Sequence, residues 1–447
     1  MSETSSSESV STRLRKIAIM AEAMPGAALT TLAHHIDVSF LAEAFRRTRK
    51  GGSPGVDGQT GAEYGVNLQA NLEALLPRLK TGSYRAPPVR RVYIPKIGGE
   101  RPLGLPTFED KLLQRAVAMV LEAIYEQEFL PCSYGFRPGR SAHDALKEAQ
   151  GALMRMRGGW IVDLDIENFF GTLDHAHLNA FLDQRVRDGV IRRVIGKWLK
   201  AGVLEDGAVH RDGEGTPQGG VISPILANVY LHHVLDVWFD QDVRPRMRGH
   251  VWLIRYADDA IIGCELEEDA QRIMRVLPKR LARYGLKLHP EKTRLVHFKR
   301  PPRRDGGNSR PPPAPPGTFE FLGFMHLWSL SRKGNWVVKQ WTSKKRFQRG
   351  LKAIAMWCRK HRHAPVAVQH DALRRKLIGH YNYYGITGNG DRIGRFLTCV
   401  GRIWRFWLNR RSQGNHMPWR KFVILLKRHP LPPAIAYHSA YRIAANP

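Results

Sequence analysis

The sequence is poor in the features that mark several specialised classes of protein. Its 447 residues include four cysteines, Cys132, Cys264, Cys358 and Cys399. They lie far apart and form no CxxC pair, which argues against a disulfide framework and against a cysteine zinc module. They read as packing residues. No apolar run approaches the roughly 18 residues that a membrane span needs. The opening stretch MSETSSSESVST lacks the apolar segment of a secretion signal, so residues 1–35 are expected to be a disordered tail and lead-in. Acidic residues are scarce in one region. From Lys299 to the end there are 4 of the 40 Asp and Glu, against 30 of the 70 Lys and Arg.

What is present is a folded chain with 43% hydrophobic residues, long enough for two or three cored domains, and with a formal net charge of +30. The absences above point to the cytosol. Nearly all the excess charge falls in the last third and is interleaved with Trp, Tyr and Phe, a composition suited to nucleic acid. Apolar residues recur at helical spacing over about 108–128 and 267–284; the second segment places acids early and bases late, as the helix dipole favours. GGWIVDLDIENFF predicts a strand led in by glycines. VWLIRY and AIIGC predict two strands joined through Ala257, Asp258 and Asp259, a hairpin with acids at its tip. KRPPRRDGGNSRPPPAPPG, residues 299–317, is a solvated loop by composition. It is a domain boundary, or an insertion if the strand-like TFEFLGFM that follows belongs to the preceding sheet. Beyond about 340 the pattern is helical, basic and aromatic, and there is no internal repeat.

Two adjacent carboxylates between apolar runs demand compensation. Arg255 is the nearby cation in sequence, but a bound metal ion is the sharper answer. Alternate residues of a strand share a face, so Asp163 and Asp165 in IVDLD point the same way, and the strand argument does not choose between them. Beside the Asp258–Asp259 hairpin, that strand would bring three or four carboxylates to one sheet end. Hard divalent cations such as Mg²⁺ bind such oxygen donors together with substrate phosphates, and a pair of them serves phosphoryl transfer.

The companions of YADD extend the case. SPGVDGQT (53–60), YIPKIGGERPLGLPTFEDKLLQRAV (93–117), SYGFRPGRSAHDAL (133–146), VDLDIENFFGTLDH (162–175), GTPQGGVISPILANVYL (215–231), RYADD (255–259), LHPEKTRLVHF (288–298) and FEFLGF (319–324) occur in order, followed by GHYNYYG (379–385) and RRSQGNHMPWRKF (410–422). Over roughly residues 40–435 the chain resembles the group II intron-encoded reverse transcriptases and maturases. The resemblance implies an α+β right-hand polymerase fold. Residues 36–330 would form fingers and a palm with an antiparallel sheet, with 299–317 a flexible insertion. Residues 331–410 would form a helical thumb or maturase domain, and 411–447 a basic extension suited to DNA.

It further implies that Asp165 and Asp258 bind both of two Mg²⁺ ions, with Asp259 completing the site. Asp165 is preferred to Asp163 because the family's catalytic Asp is followed five positions on by an aromatic, here Phe170, which matches the steric gate against a ribose 2′-OH. Lys96 and Arg101 match residues that hold the incoming triphosphate, and Gln218 matches one that packs on the incoming sugar and templating base. RNA contacts are expected from Arg374, Arg375, Lys376, Tyr381, Tyr383 and Tyr384, whereas Trp404 and Trp407 are equally suited to stacking or to a helical core. The implied partners are a group II intron RNA, a DNA target or primer, and deoxynucleoside triphosphates, in a bacterial cytoplasm and on the nucleoid when bound to target DNA, with no membrane. No HNH endonuclease is expected, so target cleavage would fall to the RNA or be replaced by preformed 3′ ends. The competing readings are an RNA chaperone that keeps the polymerase site as scaffold, and a reverse transcriptase recruited to phage defence or repair.

Overall fold

A computed structural model describes residues 2–96, 99–205, 208–210, 219–301, 317–331, 333–412 and 417–438. In chain order its strands are β1 (Val89–Lys96), β2 (Gly99–Leu105), β3 (Trp160–Asp165), β4 (Val203–Glu205), β5 (Ala208–His210), β6 (Val251–Tyr256), β7 (Asp259–Cys264), β8 (Arg294–His297), β9 (Phe319–Phe321), β10 (Phe324–Leu330) and β11 (Trp336–Thr342). The chain divides into two compact units, Met1–Ala145, Leu164–Ile262 and Glu268–Arg294 forming one, and Leu146–Asp163, Gly263–Glu267 and Leu295–Pro447 the other. This division follows which segments share a core, whereas the boundary near residue 330 that the resemblance implies follows the order of the motifs.

In the first unit the helix Phe108–Tyr125 is apolar around much of its circumference, burying Leu112, Leu113, Ala116, Val117, Val120, Leu121 and Ile124, as a helix enclosed on several sides must. Thr107 caps it by accepting the Asp110 amide hydrogen. The helix Ser2–Ala23 packs against it and buries Val10, Ile17 and Ala21. The expected disordered tail is therefore corrected: apolar residues at i, i+7 and i+11 supply a helical stripe that the Ser-rich opening obscures. A second helix, Val38–Arg47, is capped by Asp37, which also pairs with Arg13 at 2.8 Å. β1 and β2 form an antiparallel hairpin with Ile94 opposite Arg101 and Lys96 opposite Gly99. β4 joins β1 in parallel, giving the order β2-β1-β4-β5.

A second sheet has the order β6-β7-β3-β8. β6 and β7 read as continuous apolar runs because almost every residue is buried, a pattern of strands covered on both faces. In the second unit the antiparallel sheet β11-β10-β9 contains the FEF strand, which thus pairs with β10 and not with the strand preceding the proline-rich stretch. Residues 302–316 of that stretch lie outside the described residues. Four helices, Lys344–Lys360, Val366–Tyr384, Gly390–Leu408 and Trp419–Arg428, close on a core of Leu373, Leu377, Tyr381, Phe396, Val400, Trp404 and Phe422. Phe422, within the basic extension 411–447, is fully buried in that core. Among the described residues no helix is long and apolar enough to cross a membrane.

Candidate active site

The turn between β6 and β7 carries the paired acids. Ala257 at φ +56° adopts the left-handed conformation that non-glycine residues avoid, at a cost of roughly 1–3 kcal/mol. Arg255 holds it there. Its guanidinium is fully buried and donates to the Ala257 carbonyl at 3.0 Å, to Asn228 Oδ1 at 3.0 Å, to Ser133 Oγ at 2.8 Å, and through Nε and Nη2 to Asp236 at 2.7 and 2.5 Å. Burial alone would lower the Arg255 pKa, but the charge of Asp236 and its hydrogen bonds outweigh burial and raise it. Segment 132–134 is fastened along β6 by the Arg255 amide donating to the Cys132 carbonyl and by the Tyr134 amide donating to the Arg255 carbonyl. A side chain on Gly135 would collide with the Ala257 backbone, so only glycine lets this segment reach the turn.

Arg255 is therefore not chiefly the counter-charge of the acid pair. Its paired partner is Asp236, which raises its pKa more strongly than Asp258 does. Asp258 and Asp259 are half-buried. Asp165 closes β3, and Asp259 opens β7, its neighbour in the sheet. The start of β3 lies at the end of β7, where a side chain on Gly159 would meet the Cys264 carbonyl, so Asp165 is brought to the end of the sheet that holds the turn. Asp163 and Asp165 occupy the half-buried face of β3 while Val162 and Leu164 are buried, the alternation expected from strand geometry.

Asp165 is held from two sides. Its carboxylate takes Lys292 Nζ at 3.2 Å, and its backbone is clasped by Thr293 Oγ1 and by the His289 amide. Both Asp165 and Lys292 are about half exposed, and such a pair is worth at most about 1 kcal/mol. An incoming cation can displace it. Among the described residues no three His, Cys, Asp or Glu side chains are gathered as a finished metal cage. The donor chemistry nevertheless fits a hard divalent cation: carboxylate oxygens only, half-buried, at one sheet end. Mg²⁺ commonly takes one or two carboxylates and fills its remaining positions with water and substrate phosphate.

Beyond Asp165 the chain turns sharply. Asn168 at φ +44° starts a short 3₁₀ turn, Phe169–Gly171, that buries the Phe169 ring and leaves Phe170 half-buried, the two rings edge-on at 5.3 Å. Lys96 and Arg101 lie on the β1–β2 hairpin, paired across it with Gly99 and Ile94. Gln218 lies outside the described residues. Its neighbour Gly219, at φ +113°, sits so close to the Gly104 carbonyl of β2 that a side chain would not fit. Sequence reasoning missed Asp236, Asn228, Ser133 and Lys292. Ser133, Asn228 and Lys292 fall within the motif segments, but nothing in Asp236's surroundings, HHVLDVW, signals its role.

In the second unit the expected RNA contacts separate into two groups. Arg374, Arg375 and Lys376 are exposed on the helix Val366–Tyr384. Tyr381 is fully buried, with its hydroxyl directed to the Pro432 carbonyl, and is corrected from RNA ligand to core residue. Tyr383 and Tyr384 are half-buried against Phe324, Tyr383 donating to the Leu322 carbonyl at 2.8 Å. The 381/384 spacing puts Tyr381 and Tyr384 on one side of the helix. Trp404 resolves to the core, its indole N–H bonded to Gln369 at 2.9 Å, and Trp407 packs against the same core.

The family model described as reverse transcriptase (RNA-dependent DNA polymerase) matches residues 94–326, just over half of the chain. The chain is 39% identical over 226 residues to the group II intron-encoded protein LtrA of Lactococcus lactis subsp. cremoris, covering 47% of this chain and 37% of that one. It is 38% identical over 245 residues to protein YkfC of Escherichia coli (strain K12), covering 53% and 63%. It is also 30% identical over 184 residues to nuclear intron maturase 4, mitochondrial, of Arabidopsis thaliana, covering 37% and 23%. The match thus spans less than two thirds of the length of each of these relatives.

Proposed function

From the premise that this chain belongs to the reverse transcriptase (RNA-dependent DNA polymerase) family, we propose that it copies a group II intron RNA into DNA and also acts as a maturase that binds and stabilises that RNA for splicing and mobility. The observation that supports it most is that β3, which ends in Asp165, lies beside β7, which opens on Asp259 after a turn held by a buried arginine. In this reading the first unit supplies fingers and palm and the second the helical thumb. Asp165, Asp258 and Asp259 hold the divalent cations, which we take to be two Mg²⁺. Bound there, such ions lower the cost of gathering negative oxygens around the reacting phosphate.

The remaining work falls to the chain. The primer 3′ oxygen forms a bond to the α-phosphorus of a deoxynucleoside triphosphate, its proton passes to water, and the bond to the β-phosphate oxygen breaks to release pyrophosphate. Lys96, a point charge, and Arg101, a planar fork, neutralise the triphosphate oxygens from the β1–β2 hairpin. Gln218 packs on the incoming sugar and templating base. Phe170 closes the space that a 2′-hydroxyl would need. The direct test is extension of a DNA primer on an RNA template with deoxynucleotides and Mg²⁺; absence of extension contradicts the reading.

Removing the Phe170 ring should open that space. Phe170→Ala is expected to incorporate ribonucleotides at least about tenfold more readily relative to deoxynucleotides, the scale of roughly 1.4 kcal/mol of lost steric discrimination. Competition between the two sugars in primer extension measures it, and an unchanged ratio places the gate elsewhere.

RNA binding should draw on the basic second unit. Each phosphate contact on a single strand contributes about 0.7 to the log–log salt slope. Replacing Arg374, Arg375 and Lys376 together with Gln should lower the slope by about 1–2 and weaken RNA binding, read from affinities over a salt series. A wild-type slope in this variant removes these residues from the RNA interface.

A further inference from the structure

We propose that a concavity between the helices Gly390–Leu408 and Trp419–Arg428 is a subsite for one unpaired RNA nucleotide, with its base stacked on Trp419 or Phe406 and its flanking phosphates held by Arg402, Arg405 and Arg410. It rests on the RNA-binding reading above and narrows that reading to a place.

The concavity has a volume of about 590 Å³ and is lined by Arg402, Arg405, Phe406, Asn409, Arg410 and Trp419. None of these is acidic, and among the described residues no carboxylate pairs with any of the three arginines. Three guanidinium groups around one hollow repel each other until an anion enters. Two of them are already oriented. Arg405 is fixed by Nε donating to the Met417 carbonyl at 3.0 Å and lies 4.4 Å from the Trp419 ring centre; Arg410 lies 3.7 Å from that of Phe406. Cation–π contact on one face leaves the guanidinium N–H edges directed outward, the geometry that grips phosphate.

The two rings are exposed, Trp419 by 48% and Phe406 by 45%, whereas Phe396, Trp404 and Phe422 of the same helices are in the core. Large aromatic surfaces left open inside a positive hollow suit a base, which stacks on a ring whatever its sequence. Asn409 Oδ1 is taken by the Met417 amide at 2.8 Å, so its own amide hydrogens are left to donate to a ribose or base oxygen. An acidic peptide would answer the charge but leave the rings without a planar partner.

The test uses the full chain and a single-stranded RNA oligonucleotide carrying 5-iodouridine, with affinity measured over a salt series and crosslinked peptides identified. Arg402→Gln with Arg410→Gln, both solvent-facing, should lower the log–log salt slope by about 1.4, the equivalent of two phosphates. Trp419→Ala should weaken binding about tenfold or more and Trp419→Phe should restore most of it. Crosslinks should fall on the peptides containing Phe406 or Trp419. If the double arginine variant keeps the wild-type slope and affinity, the subsite is wrong even though RNA binding stands. If wild type binds no RNA, both readings fail. Equal binding of the same-sequence DNA with equal sensitivity to the variants, or equal competition by polyglutamate, also overturns the assignment to an RNA nucleotide.

Discussion

Asp258→Asn should reduce RNA-templated primer extension by about three orders of magnitude or more while leaving RNA affinity within about twofold of wild type. The substitution keeps the shape of the turn and removes one negative charge from a site whose task is to hold cations against phosphate oxygens. Electrostatic interactions of that kind are commonly worth several kcal/mol in the transition state, each 1.36 kcal/mol being tenfold in rate. RNA affinity should be spared because the turn lies in the first unit, whereas the basic excess lies from Lys299 onward. Asp259→Asn should behave alike. Extension within tenfold of wild type by both variants, or a matching loss of RNA binding, contradicts the proposed division of labour.

Asp236→Ala should destabilise the protein by about 3–5 kcal/mol, because it leaves the fully buried Arg255 guanidinium without its charge partner. Thermal or denaturant unfolding reads this directly. The double variant Asp236→Leu with Arg255→Met, similar in volume and apolar, should recover most of that stability, since replacing both members of a buried pair is often neutral. It should not recover primer extension. Without Arg255 the Ala257 carbonyl loses that guanidinium hydrogen bond, and the strained turn carrying Asp258 and Asp259 loses a restraint. A double variant that is both stable and fully active would reduce Arg255 to a packing residue.

Parts of this architecture were legible because their patterns are local. VWLIRY and AIIGC announce a buried hairpin through unbroken apolar runs, and IVDLD announces its neighbour through alternation, so the candidate carboxylates could be named from the chain alone. The helix over 108–125 was legible for the same reason. The support around the acids was not, because it is assembled from distant segments. Asp236 is 19 residues from Arg255 and Ser133 is 122, and nothing in either segment states that they meet.

Proximity in sequence singled out Arg255 as the cation beside the acids but gave no sign of its buried partner, Asp236. Composition misled at the N-terminus, where serines hid the stripe of Val10, Ile17 and Ala21. It misled again in the basic helices. There an aromatic is equally able to stack on a base or fill a core, and Tyr381 and Trp404 proved to be core while Trp419 and Phe406 remained open. Exposure, which separates those two uses, is a property of the packed helices and not of the local sequence.

The central claim is that this sheet end is a cation-dependent polymerase centre built on Asp165. The measurement that addresses it is primer extension on an RNA template in Mg²⁺, comparing wild type, Asp163→Asn and Asp165→Asn at matched thermal stability. The two acids share a strand and a face, so the comparison isolates position at the sheet end. The account predicts that Asp165→Asn loses extension by about a thousandfold or more, that Asp163→Asn retains it within about tenfold, and that chelation of divalent cations abolishes it in wild type. Extension by Asp165→Asn at the wild-type rate, or undiminished extension after chelation, would contradict it.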